Sequence, residues 1–314
     1  MDGGATGASL AIVLGALGDT VLLAPALTAL ARAAPPLEVW GPSRERLLPL
    51  LAPLGPAATV RAFPPEALPL WGPGPLPAAL ETRLRRVARL VAFTGPGALA
   101  ERIAALGGDA VAAPGAGAVF DGHALELIAA RLRAATGLTA EGPPELRPDD
   151  ELRARGRALA GAPAYAVLHP GAGAREKRWP LSRFLELAAA TPLPCLRVTG
   201  PAAQEWPVEG PVEGPVEGPP GPVPAGLVPT LGPLPLLDLA ALLAGARAFA
   251  GNDAGPSHLA AALGVPTLAV FGPTDPAAWA PRGQAPVRVV RGDLPSLSAA
   301  EVLPAWRAVI VGPP

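Results

Sequence analysis

Short apolar runs alternate with amphipathic stretches along almost the whole chain, and this order restricts the fold more than any other feature. In the first half, the runs 10–14, 37–40, 59–63, 90–93 and 110–113 have the length and content of buried strands. Between them, 20–33, 98–106 and 123–135 repeat apolar residues at three- and four-residue spacing, the period of a helix with one face in a core. Strand–helix alternation favours a parallel sheet with helices on both faces. A second series has runs at 165–169, 196–199, 227–230, 248–251, 267–271 and 287–290, and closes on a helical stretch at 298–310. The segment 142–164 that separates the series is rich in proline and charge and marks a boundary. The expected fold class is therefore α/β in two parallel-sheet domains, 1–150 and 151–314.

Length agrees with two domains, since 314 residues exceed what one core usually holds. The longest apolar stretch, 10–31, contains Gly15, Gly18, Asp19 and Pro25, so no membrane span is expected. Residues 1–9 lack the basic charge of a secretory leader, which points to the cytoplasm. A lone cysteine, Cys195, excludes an internal disulfide framework and reads as a small buried hydrophobe. The net charge of -1 gives no global field for nucleic acid, and none is expected as a partner. Scarce Asn, Gln, Cys and Met with 44 prolines fit a thermophilic protein, and GC-rich codon bias would give the same pattern. Within the second series, Pro-Val-Glu-Gly starts at 207, 211 and 215 and runs into a proline-rich tail, which forbids a regular helix and reads as an extended surface loop.

Against this composition the rare polar residues cluster. Lys177 is the only lysine among 25 basic residues and Asn252 the only asparagine, and their two segments also hold His169 and His258, two of three histidines. Both segments follow expected strands, where parallel sheets place ligands. In 169–180, Gly171, Ala172 and Gly173 let backbone amides approach a phosphate, and Lys177 supplies a compact positive charge, to whose field Arg175 and Arg178 add. In 251–258, Asn252, Asp253, Ala254 and Gly255 precede Pro256, which opens a helix stopped by Gly264-Val265-Pro266. The start of that helix turns unpaired N–H groups toward an anion such as diphosphate, and His258 lies in its first turn. A third segment, Gly15 to Asp19, follows the first strand, and there Asp19 reads equally as a helix cap. The two histidines lack ligand spacing and no Asp-x-Asp pair ends a strand, so a metal is not implied.

The combination of Gly15-Ala-Leu-Gly-Asp19, His169-Pro-Gly-Ala-Gly173 with Lys177-Arg-Trp-Pro180, the run 252–266 and Phe271-Gly-Pro-Thr-Asp-Pro276 resembles glycosyltransferase family 9, which contains the ADP-heptose:lipopolysaccharide heptosyltransferases. The resemblance implies a GT-B architecture, two Rossmann-like domains facing a cleft, with the last helix, about 298–310, packing back on the first. It implies inverting transfer without metal or other cofactor, from a nucleotide-diphosphate sugar, ADP-heptose first, to a saccharide or glycolipid acceptor. The acceptor would bring the protein to the inner membrane surface. By position, Asp19 matches the family's general base, Lys177 its phosphate-binding lysine, and Asp253, Gly255 and His258 its diphosphate loop. Ala254 stands where Thr or Ser is common, and the repeat lies where a helix and an acidic ribose contact, Glu205, are expected. Arg83, Arg85, Arg86 and Arg89 offer charge to an anionic acceptor, and the same spacing describes a solvated helix face. Two other readings stay open: a GT-B epimerase or hydrolase acting on a nucleotide sugar, and a non-catalytic nucleotide-sugar binding protein.

Overall fold

A computed structural model describes residues 8–43, 51–114, 118, 120–200 and 228–311. The chain forms two compact units, Met1–Pro143 and Pro144–Pro314, dividing seven residues ahead of the expected position 150. In the first, strands β1 (Ser9–Val13), β2 (Leu37–Gly41), β3 (Ala58–Ala62), β4 (Leu90–Phe93) and β5 (Asp109–Val111) form a parallel sheet in the order β3-β2-β1-β4-β5. In the second, β6 (Ala166–His169), β7 (Cys195–Val198), β8 (Thr230–Leu231), β9 (Ala248–Asn252), β10 (Thr267–Phe271) and β11 (Val287–Arg291) are ordered β11-β10-β9-β6-β7-β8. Counted from its own first strand, the second sheet reads 3-2-1-4-5-6, the dinucleotide-binding order. Central strands β1, β4, β6, β9 and β10 are buried at every position, which is why their sequences are mostly apolar runs, with polar residues at their ends, rather than alternations.

The expected helix at 20–33 is two helices, α1 (Leu17–Leu22) and α2 (Ala24–Ala33). Pro25 lacks the N–H that would continue α1, and its ring needs the space of the Val21 carbonyl; the chain therefore restarts at Leu23. Helix α3 (Ala78–Arg86) precedes β4, and α4 (Ala98–Ala105) follows it. The third histidine, His123, caps α5 (Ala124–Thr136): Leu125 N–H donates to its Nδ1 at 3.1 Å, and Gly137 ends the helix at φ 74°. In the charged linker, Asp149 accepts from Leu152 N–H at 2.7 Å and starts α6 (Asp150–Ala160).

Helix α7 (Leu181–Ala189) follows the Lys177 segment, α8 (Leu236–Gly245) lies against α6, and α9 (Gly255–Ala262) follows β9. The last helix, α10 (Ala299–Val311), spends its buried residues Val302, Trp306 and Val309 on the second unit's own core, beside Trp179, Phe184 and Leu268. With Ala299, these residues recur at three- and four-residue spacing, the period of a helix with one face in a core. Cys195 is buried as a free thiol, and burial pushes its pKa up to about 11 against a counteracting hydrogen bond with Thr191.

Candidate functional site

Strand order reverses beside β1 in the first sheet and beside β6 in the second. At such switch points the loops leaving adjacent strands diverge to opposite faces and open a crevice at the carboxyl ends. The loops after β6 and β9 carry the rare polar residues, and the loop after β1 leads to Asp19.

In the second unit β6 and β9 are paired neighbours, with His169 opposite Gly251, so their loops emerge side by side. Lys177 ends a 3₁₀ turn, Arg175–Lys177, and its Nζ meets Asp253 Oδ2 at 2.7 Å, with side chains 29% and 8% exposed. An ammonium carries three N–H donors, and Asp253 takes one. The carboxylate of Asp253 would repel an anion; what it supplies is a fixed place for the amine. The chain's only asparagine immediately precedes Asp253. Asn252 Oδ1 accepts from Trp179 N–H at 3.1 Å and its Nδ2 donates to the Pro170 carbonyl at 2.8 Å.

Helix α9 begins at Gly255, one residue earlier than the sequence suggested, which puts Pro256 in its second position. Ala254 precedes it in extended backbone and offers no side-chain cap. Pro256 has no N–H and Ser257 N–H donates to the Ala254 carbonyl at 3.0 Å, so the amides of Ala254 and Gly255 are those left at the positive end of the helix dipole, an arrangement that attracts phosphate or carboxylate. His258 is buried in the same turn, and Ser257 Oγ donates to the Asn252 carbonyl at 2.6 Å.

The small-residue loop is shaped from below. Arg178 donates from Nε and Nη2 to the Ala172 carbonyl at 3.2 and 3.0 Å, so its guanidinium clamps the loop while its charge adds to the local field. A Cβ on Gly171 would sit 3.1 Å from the His169 ring. Gly173 has open space around it. Burial, and then the charge of Arg178, push the His169 pKa down to about 4, so the imidazole is neutral at pH 7. Its Nδ1 has no hydrogen-bond partner among the described residues. Sequence reading gave His169 no role; its only signal was membership of the segment. The β10 loop closes on the same turn, since a Cβ on Gly272 would lie 3.3 Å from the Glu176 carbonyl.

At the first unit's switch point, Asp19 is the third residue of α1 and caps the helix from there; the position ahead of the helix is Ala16, whose side chain has no acceptor. Asp19 reaches backward, and Ala16 N–H donates to its Oδ2 at 2.9 Å. Gly15 takes φ 109°, and a Cβ there would come within 2.7 Å of the same oxygen, so glycine is required to let the carboxylate fold back. Gly18 is the second residue of α1.

Of the four arginines that offered charge to an acceptor or described a solvated helix face, three have partners within the first unit. Arg83 pairs with Glu38 at 2.9 Å and lies 4.9 Å from the Trp40 ring centre, Arg85 pairs with Glu81 at 2.9 Å, and Arg89 donates to the Thr136 carbonyl. Burial raises the Glu38 pKa, and Trp40, Arg61 and Arg83 together outweigh it and hold the carboxyl below its ordinary value. Glu205 and the Pro-Val-Glu-Gly repeat lie outside the described residues. Among the described residues no group of three His, Cys, Asp or Glu is placed to hold a metal, and no helix is long and apolar enough to cross a membrane.

Comparison with known proteins decides the family. The family described as "Glycosyltransferase family 9 (heptosyltransferase)" matches residues 118–304, more than half of the chain. The chain belongs to glycosyltransferase family 9. The matched stretch holds Lys177, Asn252, Asp253 and His258, whereas Asp19 lies ahead of it. Lipopolysaccharide heptosyltransferase 1 of Pseudomonas aeruginosa is 38% identical over 116 residues, which are 37% of this chain and only 30% of that protein's length. Among solved structures, a family 9 glycosyltransferase from Veillonella parvula superposes with a TM-score of 0.73 at 17% identity, covering 98% of this chain and 97% of its own. The E. coli ADP-heptose lps heptosyltransferase II gives 0.71 at 20%, covering 97% and 98%. E. coli heptosyltransferase WaaC with ADP gives 0.61 at 19%, covering 96% and 99%. These likenesses establish a GT-B-like α/β fold for this family 9 chain.

Proposed function

We propose that the chain transfers a sugar from a nucleotide-diphosphate donor to a saccharide or glycolipid acceptor, with inversion and without a metal. The observation that carries this reading is the Lys177 amine, held by Asp253 beside the uncapped start of α9 at the β6/β9 switch point. Two N–H donors of that amine and the Ala254 and Gly255 amides answer the charge of a diphosphate, and a site built in advance needs no reorganisation as charge develops. In the forward step an acceptor hydroxyl oxygen forms a bond to the anomeric carbon while the bond from that carbon to the diphosphate oxygen breaks. The hydroxyl proton passes to Asp19, and the electron pair leaves on the diphosphate, where Lys177 and α9 stabilise it. A single displacement inverts the anomeric centre.

ADP-heptose is the donor proposed, because the family is that of heptosyltransferases and a relative's structure contains ADP. A lipopolysaccharide-type glycolipid is the acceptor class, which would bring the chain to the cytoplasmic face of the membrane. The test is product analysis with ADP-heptose and a glycolipid acceptor under chelator. Glycoside of inverted configuration is expected. Free heptose or its epimer formed without acceptor would favour an epimerase or hydrolase, and tight ADP binding with no turnover on any acceptor would favour a binding protein.

A further inference from the structure

Asn252 is wholly buried, so its amide is not a surface contact for a ligand. Its two bonds have a pattern with a consequence. The acceptor end takes the N–H of Trp179 and the donor end gives to the carbonyl of Pro170. These two partners bracket 171–178, the whole stretch that carries the small residues, the Arg178 clamp and Lys177. The direction of the amide is dictated by its partners, since a backbone N–H needs an acceptor and a carbonyl needs a donor. Through its own carbonyl, Asn252 also accepts the Ser257 hydroxyl in the first turn of α9, and its next residue is Asp253. One side chain thus fastens both ends of the lysine loop to the strand end that bears the lysine's counter-ion.

No other residue type meets these demands. Aspartate offers two acceptors and repels the Pro170 carbonyl, serine is too short to span both partners, and glutamine adds a methylene where there is no exposed space. A chain otherwise emptied of asparagine keeps one here. We propose that Asn252 is a positioning residue for the nucleotide-diphosphate site: it sets the register of the β6 loop on β9 and so fixes the reach of the Lys177 amine toward the phosphates. The inference rests on the diphosphate reading of that site and assigns Asn252 no contact with ligand.

A double-mutant cycle on the full chain tests it, with ADP affinity measured by calorimetry. Lys177→Met should weaken ADP about tenfold or more, by loss of a charged hydrogen bond. Asn252→Ala should weaken it about tenfold, and should add almost nothing in the Lys177→Met background, because the two act through one group. An equal loss from Asn252→Ala in both backgrounds, or no loss in either, overturns the positioning role while leaving the diphosphate site standing. An ADP affinity untouched by Lys177→Met overturns the site itself. Should Asn252→Ala not fold, the isosteric Asn252→Asp serves. Its ADP affinity relative to the parent chain should recover as pH falls from 8 to 5, because a protonated carboxyl regains the donor for Pro170. A ratio that stays flat with pH contradicts the proposal.

Discussion

The two switch points share a topology and differ in how much chemistry is built around them. Beside β6, a lysine, an aspartate, an asparagine, an arginine and a histidine are locked together by ion pair, hydrogen bonds and burial. Beside β1, one carboxylate is folded back on one backbone N–H over one glycine. Under the proposed transfer, the contrast follows from the different task given to each loop. Holding a diphosphate requires several donors fixed at once, and each donor needs its own support. Accepting a proton requires one base at the correct place, and supports only that base. The dense site leaves a longer and more specific pattern in the chain, which agrees with the family match beginning at residue 118 and leaving Asp19 outside it.

The widest separation between the two sites should appear with Asp19→Ala. Loss of a general base lowers turnover roughly 10²–10⁴-fold, while ADP affinity measured by calorimetry stays at the level of the parent chain. Unchanged turnover would remove Asp19 from the chemistry and leave the first switch point without a function. Lys177→Met is the mirror experiment: turnover should fall roughly 10²–10³-fold through loss of one charge-stabilising donor, and here ADP affinity should fall with it.

The acid response of the dense site provides a third comparison. His169 has a folded pKa of about 4 against an ordinary 6.5, so the unfolded chain takes the proton first as pH drops. Its effect on stability is flat above pH 6.5 and becomes a loss between 6.5 and 4, reaching roughly 3 kcal/mol. Urea unfolding at pH 7 and pH 4.5 should show a smaller difference for His169→Gln than for the parent chain. At the sparse site, Gly15→Ala forces a side chain into the Asp19 carboxylate at φ 109°, with an expected cost of about 1–3 kcal/mol in thermal unfolding and a lower turnover at unchanged ADP affinity. The smallest effect belongs to the arginine face. Glu38→Gln weakens two half-exposed pairs and should cost about 1 kcal/mol or less, seen only above the depressed pKa of Glu38 and vanishing as pH falls through it.

Much of this architecture was legible in the chain because parallel strands buried on both faces leave mostly apolar runs. All four residues of β4 and all five of β10 fell within their expected bounds. The helix pattern misled at Pro25, where periodicity continues through a break that only backbone sterics impose. Composition pointed to Lys177 and Asn252, yet it was silent on their partners: pairing between residues 76 positions apart depends on strand order. For the same reason the arginines at 83, 85 and 89 read as an open charged face until Glu38, Glu81 and the Thr136 carbonyl were seen to take them up.

A crystal structure of the full chain with ADP tests the central claim most directly. The diphosphate should lie at the start of α9, with an oxygen of its terminal phosphate within hydrogen-bond distance of Lys177 Nζ and Asp253 still paired with that amine. A diphosphate bound away from both Lys177 and the Ala254–Gly255 amides would contradict it.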